Sequence, residues 1–133
     1  MKDKEINIDK IVLHWTSSSD ADFQTMLNLY DSKDYHWALF MGHLVIEKLL
    51  KGEIVRNTHQ HAPFTHDLRK LRLVSGLELD GDKVNWLDTI TTFNLNARYD
   101  DYKQEFYRKC TKDFTSHWIE NIKILRLWIK KKL

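Results

Sequence analysis

Hydrophobic residues in this chain recur at helical spacing, and they concentrate in one stretch. From Asp34 to Lys51 (DYHWALFMGHLVIEKLLK), Trp37, Ala38, Met41, Val45 and Leu49 follow the helical period. Phe40, Leu44 and Leu50 cover much of the remaining circumference. A helix apolar on most sides is enclosed by neighbours, so this segment is expected to be the central helix. Five polar residues, His36, His43, Glu47, Lys48 and Lys51, interrupt it.

The rest of the chain reads as helices around that one. Residues 1–8 read as frayed, and Ile11, Val12 and Trp15 suggest a short helix over 9–15 within an N-terminal segment ending at residue 18. Thr16 to Ser19 reads as a break. Ser19 is placed to cap a helix over 20–30, with Asp20 and Asp22 in its first turn. Ser32 or Asp34 is expected to cap the central helix, over 34–56. Asn57 to Thr65 holds the only proline and reads as a loop. Thr65 should cap a helix over 66–75, which Gly76 ends. Asp82 should cap one over 83–97. A last long helix over 104–131 carries the stripe Phe114, Trp118, Ile122, Leu125 and Ile129, stepping by three or four. No strand-like alternation competes. The expected fold is all-α: a four- to five-helix up-and-down bundle with a long C-terminal helix, in one domain over 1–133.

Composition agrees with that. The chain has 133 residues, 42% hydrophobic and 30% charged, with only 4 Gly and 1 Pro, which disfavours a turn-rich β fold. The net charge of +2 is unevenly spread. Lys103 to Leu133 carries nine Lys/Arg against three Asp/Glu, and the preceding part is net acidic. A basic C-terminal segment suits either a phosphate backbone or a solvated helix face. The single cysteine, Cys110, excludes an intrachain disulfide and a Cys-based zinc site. The opening MKDKEINIDK has no apolar core of signal-peptide type. No run reaches the roughly 20 apolar residues of a membrane span. Cytoplasmic residence without membrane association is expected.

Candidate chemistry is sparse. His36, His43 and Glu47 share one side of the central helix, a spacing that suits a metal. Bundle metal sites pair ligands across helices, however, and no second His/Glu motif exists to complete one. The seam is therefore read as structural, with Glu47 accepting from a neighbouring histidine or arginine, and no metal or cofactor is expected. Nucleophile-elbow and phosphate-loop motifs are absent.

Three short motifs carry more information: Glu47, Lys48 and Lys51 in Glu-Lys-x-x-Lys; Pro63, Thr65, His66, Asp67 and Leu68 in Pro-x-Thr-His-Asp-Leu; and Ala97, Arg98, Tyr99 and Asp101 in Ala-Arg-Tyr-x-Asp. In this order and spacing the chain resembles HEPN domains, a prokaryotic helical family found beside nucleotidyltransferase-like proteins. The resemblance covers about 22–128. It implies nucleotide binding, membership of toxin–antitoxin pairs and, in many branches, metal-independent RNA cleavage. Those branches carry an arginine followed, after four to six residues, by a histidine. Here the arginine is Arg98, and Lys103, Gln104 and Glu105 stand where the histidine belongs. The general acid–base group is missing there, which argues against catalysis. A formal match, Arg56 to His61, falls in the loop.

The leading expectation is a binding or partner module. It is a homodimer, working with a nucleotidyltransferase-like partner or binding a nucleotide or RNA. Lys48, Lys51, His66, Asp67, Arg98 and Asp101 are its ligand candidates. The structural alternative ties Glu47, Asp67 and Arg98 into a network between helices. An enzyme reading makes Arg98, or Arg56 with His61, the catalytic residues of a ribonuclease toxin. A third reading is a non-catalytic helical scaffold.

Overall fold

The computed structural model describes residues 6–133. The frayed start expected over 1–8 therefore falls largely outside the described residues. Six helices form among the described residues: α1 (Ile8–Asp31), α2 (Tyr35–Thr58), α3 (Leu68–Ser75), α4 (Gly81–Arg98), α5 (Asp100–Lys109) and α6 (Lys112–Lys130). No strand occurs among the described residues. The all-α bundle is the expected class.

The organising helix is α2, which packs against each of the other five. Its apolar residues Leu39, Ile46, Leu49, Leu50 and Ile54 enter one core with Met26 of α1, Leu71 of α3, Leu87 and Ile90 of α4, and Ile122 and Leu125 of α6. Gly42 lets α1 and α6 approach it closely. A Cβ at that position would lie 3.2 Å from Met26 Sδ and closer still to Ile122 Cδ1.

Two boundaries differ from the sequence reading. The expected break at Thr16–Ser19 does not occur, and α1 runs through it unbroken. The hydroxyls that suggested a cap are satisfied inside the helix pair. Thr16 Oγ1 donates to the Val12 and Leu13 carbonyls, each at 3.1 Å. Buried Ser19 donates to the Val45 carbonyl of α2 at 2.8 Å. Asp20, expected in a first turn, instead accepts from Arg126 and Lys130 of α6 at 3.1 and 2.9 Å. Those two bonds also bind back part of the basic C-terminal charge.

The second difference is the last helix, which is interrupted at Cys110. That residue leaves the helical region at ψ 65°, and Thr111 restarts the chain as an N-cap, its hydroxyl accepting from the Phe114 N–H at 3.2 Å. Capping residues also shift slightly. Asp67, not Thr65, caps α3, accepting from the Arg69 and Lys70 N–H groups. Asp80, not Asp82, caps α4. Asp34 is the N-cap residue of α2, but its carboxylate bonds no helix N–H and accepts from Ser32 Oγ at 2.6 Å instead. Gly76 ends α3 in the left-handed region at φ 73°, where a side chain would be strained.

Candidate functional site

Residues 36, 43, 47 and 51 fall at intervals of seven, four and four, so one face of α2 carries His36, His43, Glu47 and Lys51. All four are buried. Buried polar groups must find partners, and His43 and Glu47 find theirs beyond α2.

Glu47 is the hub. Its Oε1 accepts from His66 Nδ1 at 2.6 Å and its Oε2 from Lys51 Nζ at 3.2 Å. The Lys51 ammonium also sits 5.5 Å from the centre of the Trp15 ring, a cation–π contact. The His66 side chain comes from the turn before α3 and is 59% exposed, while that of Glu47 is 6% exposed. With Nδ1–H committed to the carboxylate, His66 Nε2 has no hydrogen-bond partner among the described residues.

His43 closes the structure from below. Its Nε2–H donates to the His66 carbonyl at 2.8 Å, since a carbonyl oxygen can only accept. Its Nδ1 then holds the lone pair that takes an N–H from Asn94 at 3.3 Å. Nδ1 stands 3.8 Å from Glu47 Oε1, too far for a hydrogen bond. Burial pushes the His43 pKa down. The nearby charges of His66 and Arg98 add to this, against the opposing effects of the His66 carbonyl and Glu47. A neutral imidazole follows, in the tautomer its partners require.

Asn94 extends the chain of bonds to α4. Its amide oxygen accepts from an Arg98 Nη2–H, while its backbone carbonyl accepts from Arg98 Nε at 3.1 Å. The guanidinium lies 5.4 Å from the Tyr99 ring centre. Arg98 is exposed and Asn94 buried. One continuous set of bonds therefore runs from Arg98 through Asn94 and His43 to the backbone of His66, whose side chain bonds Glu47, which in turn accepts from Lys51.

The other sequence candidates lie elsewhere. Lys48 faces α1, where its ammonium meets Asp22 at 2.6 Å and Ser18 at 2.7 Å. Asp67 is occupied as the α3 cap, and no hydrogen bond or ion pair joins Arg98 to Asp67 or Glu47 among the described residues. Asp101 is exposed in the first turn of α5. Arg56 pairs with Asp9 at 2.9 Å. His61 is exposed and lines an apolar groove of about 530 Å³ with Trp15 and Phe64. Among the described residues no three His, Cys, Asp or Glu side chains are grouped to hold a metal. Burial pushes the Cys110 thiol up to about 12, so it stays protonated and unreactive at neutral pH.

Sequence reasoning did not single out Asn94 and left His43 unassigned. The one available signal was the spacing of Asn94 and Arg98, one helical turn apart and on the same face.

The family model for the HEPN domain matches residues 12–133. The chain belongs to the HEPN domain family. The crystal structure of TT1696 from Thermus thermophilus has the same fold, with a TM-score of 0.77 over 92% of this chain and 98% of that one, at 17% identity. No curated protein matches the sequence. In this HEPN domain, then, the polar network joins α2, the turn before α3 and the end of α4. No helix is long and apolar enough to cross a membrane among the described residues.

Proposed function

We propose that this HEPN protein binds the phosphate of a nucleotide between Arg98 and His66, as a binding module rather than an enzyme. The observation that carries the reading is the difference between the inner and outer members of the network. Glu47, His43 and Asn94 are buried and hydrogen-bonded, whereas Arg98 and the His66 side chain are held in place yet exposed. A network serving packing alone gains nothing from an exposed guanidinium at its end. A guanidinium whose rotamer is locked from behind binds an anion with less ordering cost, and His66, whose Nδ1–H is given to Glu47, donates to phosphate through Nε2 only as the imidazolium. Family membership supports a nucleotidyltransferase-like partner in a toxin–antitoxin pair. The exposed aromatics Phe64, Tyr99 and Tyr102 support a homodimer. Light scattering that finds only the 16.0 kDa species would remove the dimer.

The test is a thermal-shift and calorimetry series with AMP, ATP and inorganic phosphate on wild type and Arg98→Ala. A ligand bound only by the native state raises Tm with concentration. Wild type should be stabilised and Arg98→Ala much less so. Equal shifts in the two proteins, or none in wild type, would defeat the reading.

A second reading has its own observation. The Glu47–His66 pair resembles a carboxylate-oriented general base, with Nε2 free to receive a proton. In RNA cleavage Nε2 would take the proton of a ribose 2′-hydroxyl. The 2′-oxygen attacks phosphorus, and the 5′-oxygen departs, protonated by water. Arg98 would bear on the developing charge. Cleavage in EDTA that is abolished by His66→Ala supports this; RNA left intact after long incubation with clean protein rejects it.

A further inference from the structure

The N-terminal turn of α2 and the exposed flank of α5 enclose a cleft of about 560 Å³, lined by His36, Trp37, Lys103, Gln104, Tyr107 and Arg108. This is within the size range of small-ligand sites. Its composition is unusual for a chance surface dent. Trp37 is half-buried, and Tyr107, 64% exposed, stands edge-on to the His36 ring with centroids 5.2 Å apart. The Lys103 ammonium lies 5.1 Å from the Trp37 ring centre. Aromatic surfaces therefore alternate with the cations Lys103 and Arg108.

His36 is the most informative member. It is 8% exposed, and its Nδ1 has no hydrogen-bond partner among the described residues. A buried polar atom without a partner calls for an explanation. Burial, with the Lys103 charge added, pushes the His36 pKa down, so the ring is neutral and offers one donor and one acceptor. Nδ1 itself is sealed from solvent, so the ring meets a ligand through its remaining edge and face. Along α2 the cleft begins one heptad before His43, whose Nε2–H bonds the His66 carbonyl.

We infer that this cleft is the base-stacking subsite of the nucleotide ligand, with the base against Trp37 and Tyr107 and its edge toward His36. The inference rests on the phosphate reading at Arg98 and His66 and specifies the ligand: a single nucleotide unit, free or at the end of an RNA strand. Lys103 and Arg108 add attraction for the phosphate or its neighbour in a strand. Base–aromatic stacking tolerates any base, so little discrimination among the four is expected.

The experiment is calorimetric titration of the full chain with AMP, adenosine, ribose 5-phosphate and a 5′-phosphorylated oligoadenylate. The proteins are wild type, Tyr107→Ala, Lys103→Ala and Arg98→Ala. Tyr107 is exposed, so its replacement leaves folding intact; circular dichroism checks each variant. AMP should bind at least tenfold more tightly than ribose 5-phosphate or adenosine, and Tyr107→Ala should lose most of that advantage while Tyr107→Phe keeps it. AMP binding as well as the oligonucleotide identifies a free nucleotide as the ligand; an oligonucleotide preference that falls in Lys103→Ala identifies a strand end. If ribose 5-phosphate matches AMP and Tyr107→Ala changes nothing, the subsite is overturned while the phosphate reading stands. If AMP affinity survives Arg98→Ala but falls in Tyr107→Ala, the cleft stands and the phosphate reading fails. Absence of binding by every probe overturns both.

Discussion

Glu47 shows what a single residue does here. It is a buried carboxylate that neutralises the buried Lys51 and fixes the exposed His66. Removing one partner of a buried pair leaves the other charge uncompensated, a larger effect than the pair's net worth. Glu47→Gln should therefore cost about 2–4 kcal/mol in urea unfolding, because Lys51 loses its counter-charge. His66→Ala should cost about 1 kcal/mol, since Glu47 keeps Lys51 and gains access to water. Equal losses for the two would contradict this division of roles. That Glu47 sits in a polar seam was legible from spacing on one helix face. That His66, rather than Asp67 or Arg98, closes on it was not. Neighbouring residues of an irregular turn point in directions no periodicity encodes.

Among the elements, α1 and the α5–α6 joint hold the differences between expectation and structure. A serine-rich stretch favours a break only while its hydroxyls compete for local backbone groups. In α1 Ser19 is instead spent on the Val45 carbonyl of α2, and the helix continues. The opposite occurs at Cys110. One helix over 104–131 is the expectation, but the Phe114 N–H is capped by the Thr111 hydroxyl and a new helix starts. Thr111→Ala should cost about 1 kcal/mol of stability by chemical denaturation, in the range of other lost N-caps. At the crossing of α1, α2 and α6, Gly42→Ala gains helix propensity but puts a methyl against Ile122 and Met26, both fully buried. Overpacking should win, with a net loss of about 1–2 kcal/mol seen as a lower urea midpoint.

For the whole molecule, the buried histidines set an acid limit on stability. His36 and His43 both have folded pKa values below the ordinary 6.5, chiefly because burial penalises their charged forms. The native state then binds fewer protons than the unfolded one wherever pH lies between the folded value and 6.5. Their contribution is complete above about 6.5 and is lost as pH falls through the folded values. The Tm should drop between pH 7.5 and 5.5, and His43→Gln should flatten the profile. Asp20, lowered mainly by Lys130 and Arg126 against its own burial, acts only below its ordinary 3.8. Glu53, raised by burial, acts in the opposite sense above 4.5, so the wild-type-minus-variant difference isolates His43. An unchanged slope in the variant would show that His43 does not carry the effect.

Hydrophobic periodicity by itself determined the helical class, the central place of α2 and most of the core, because burial of apolar faces is a property of spacing along one helix. The three short motifs likewise pointed to the HEPN family before any contact was known. Only the tertiary structure decided which polar residues meet. Lys48 turns to α1, Arg98 is held by Asn94, His66 reaches Glu47, and His36 faces a cleft made by α5. Those pairings depend on where separate helices cross, and crossing positions follow from the packing of the whole core rather than from any one segment.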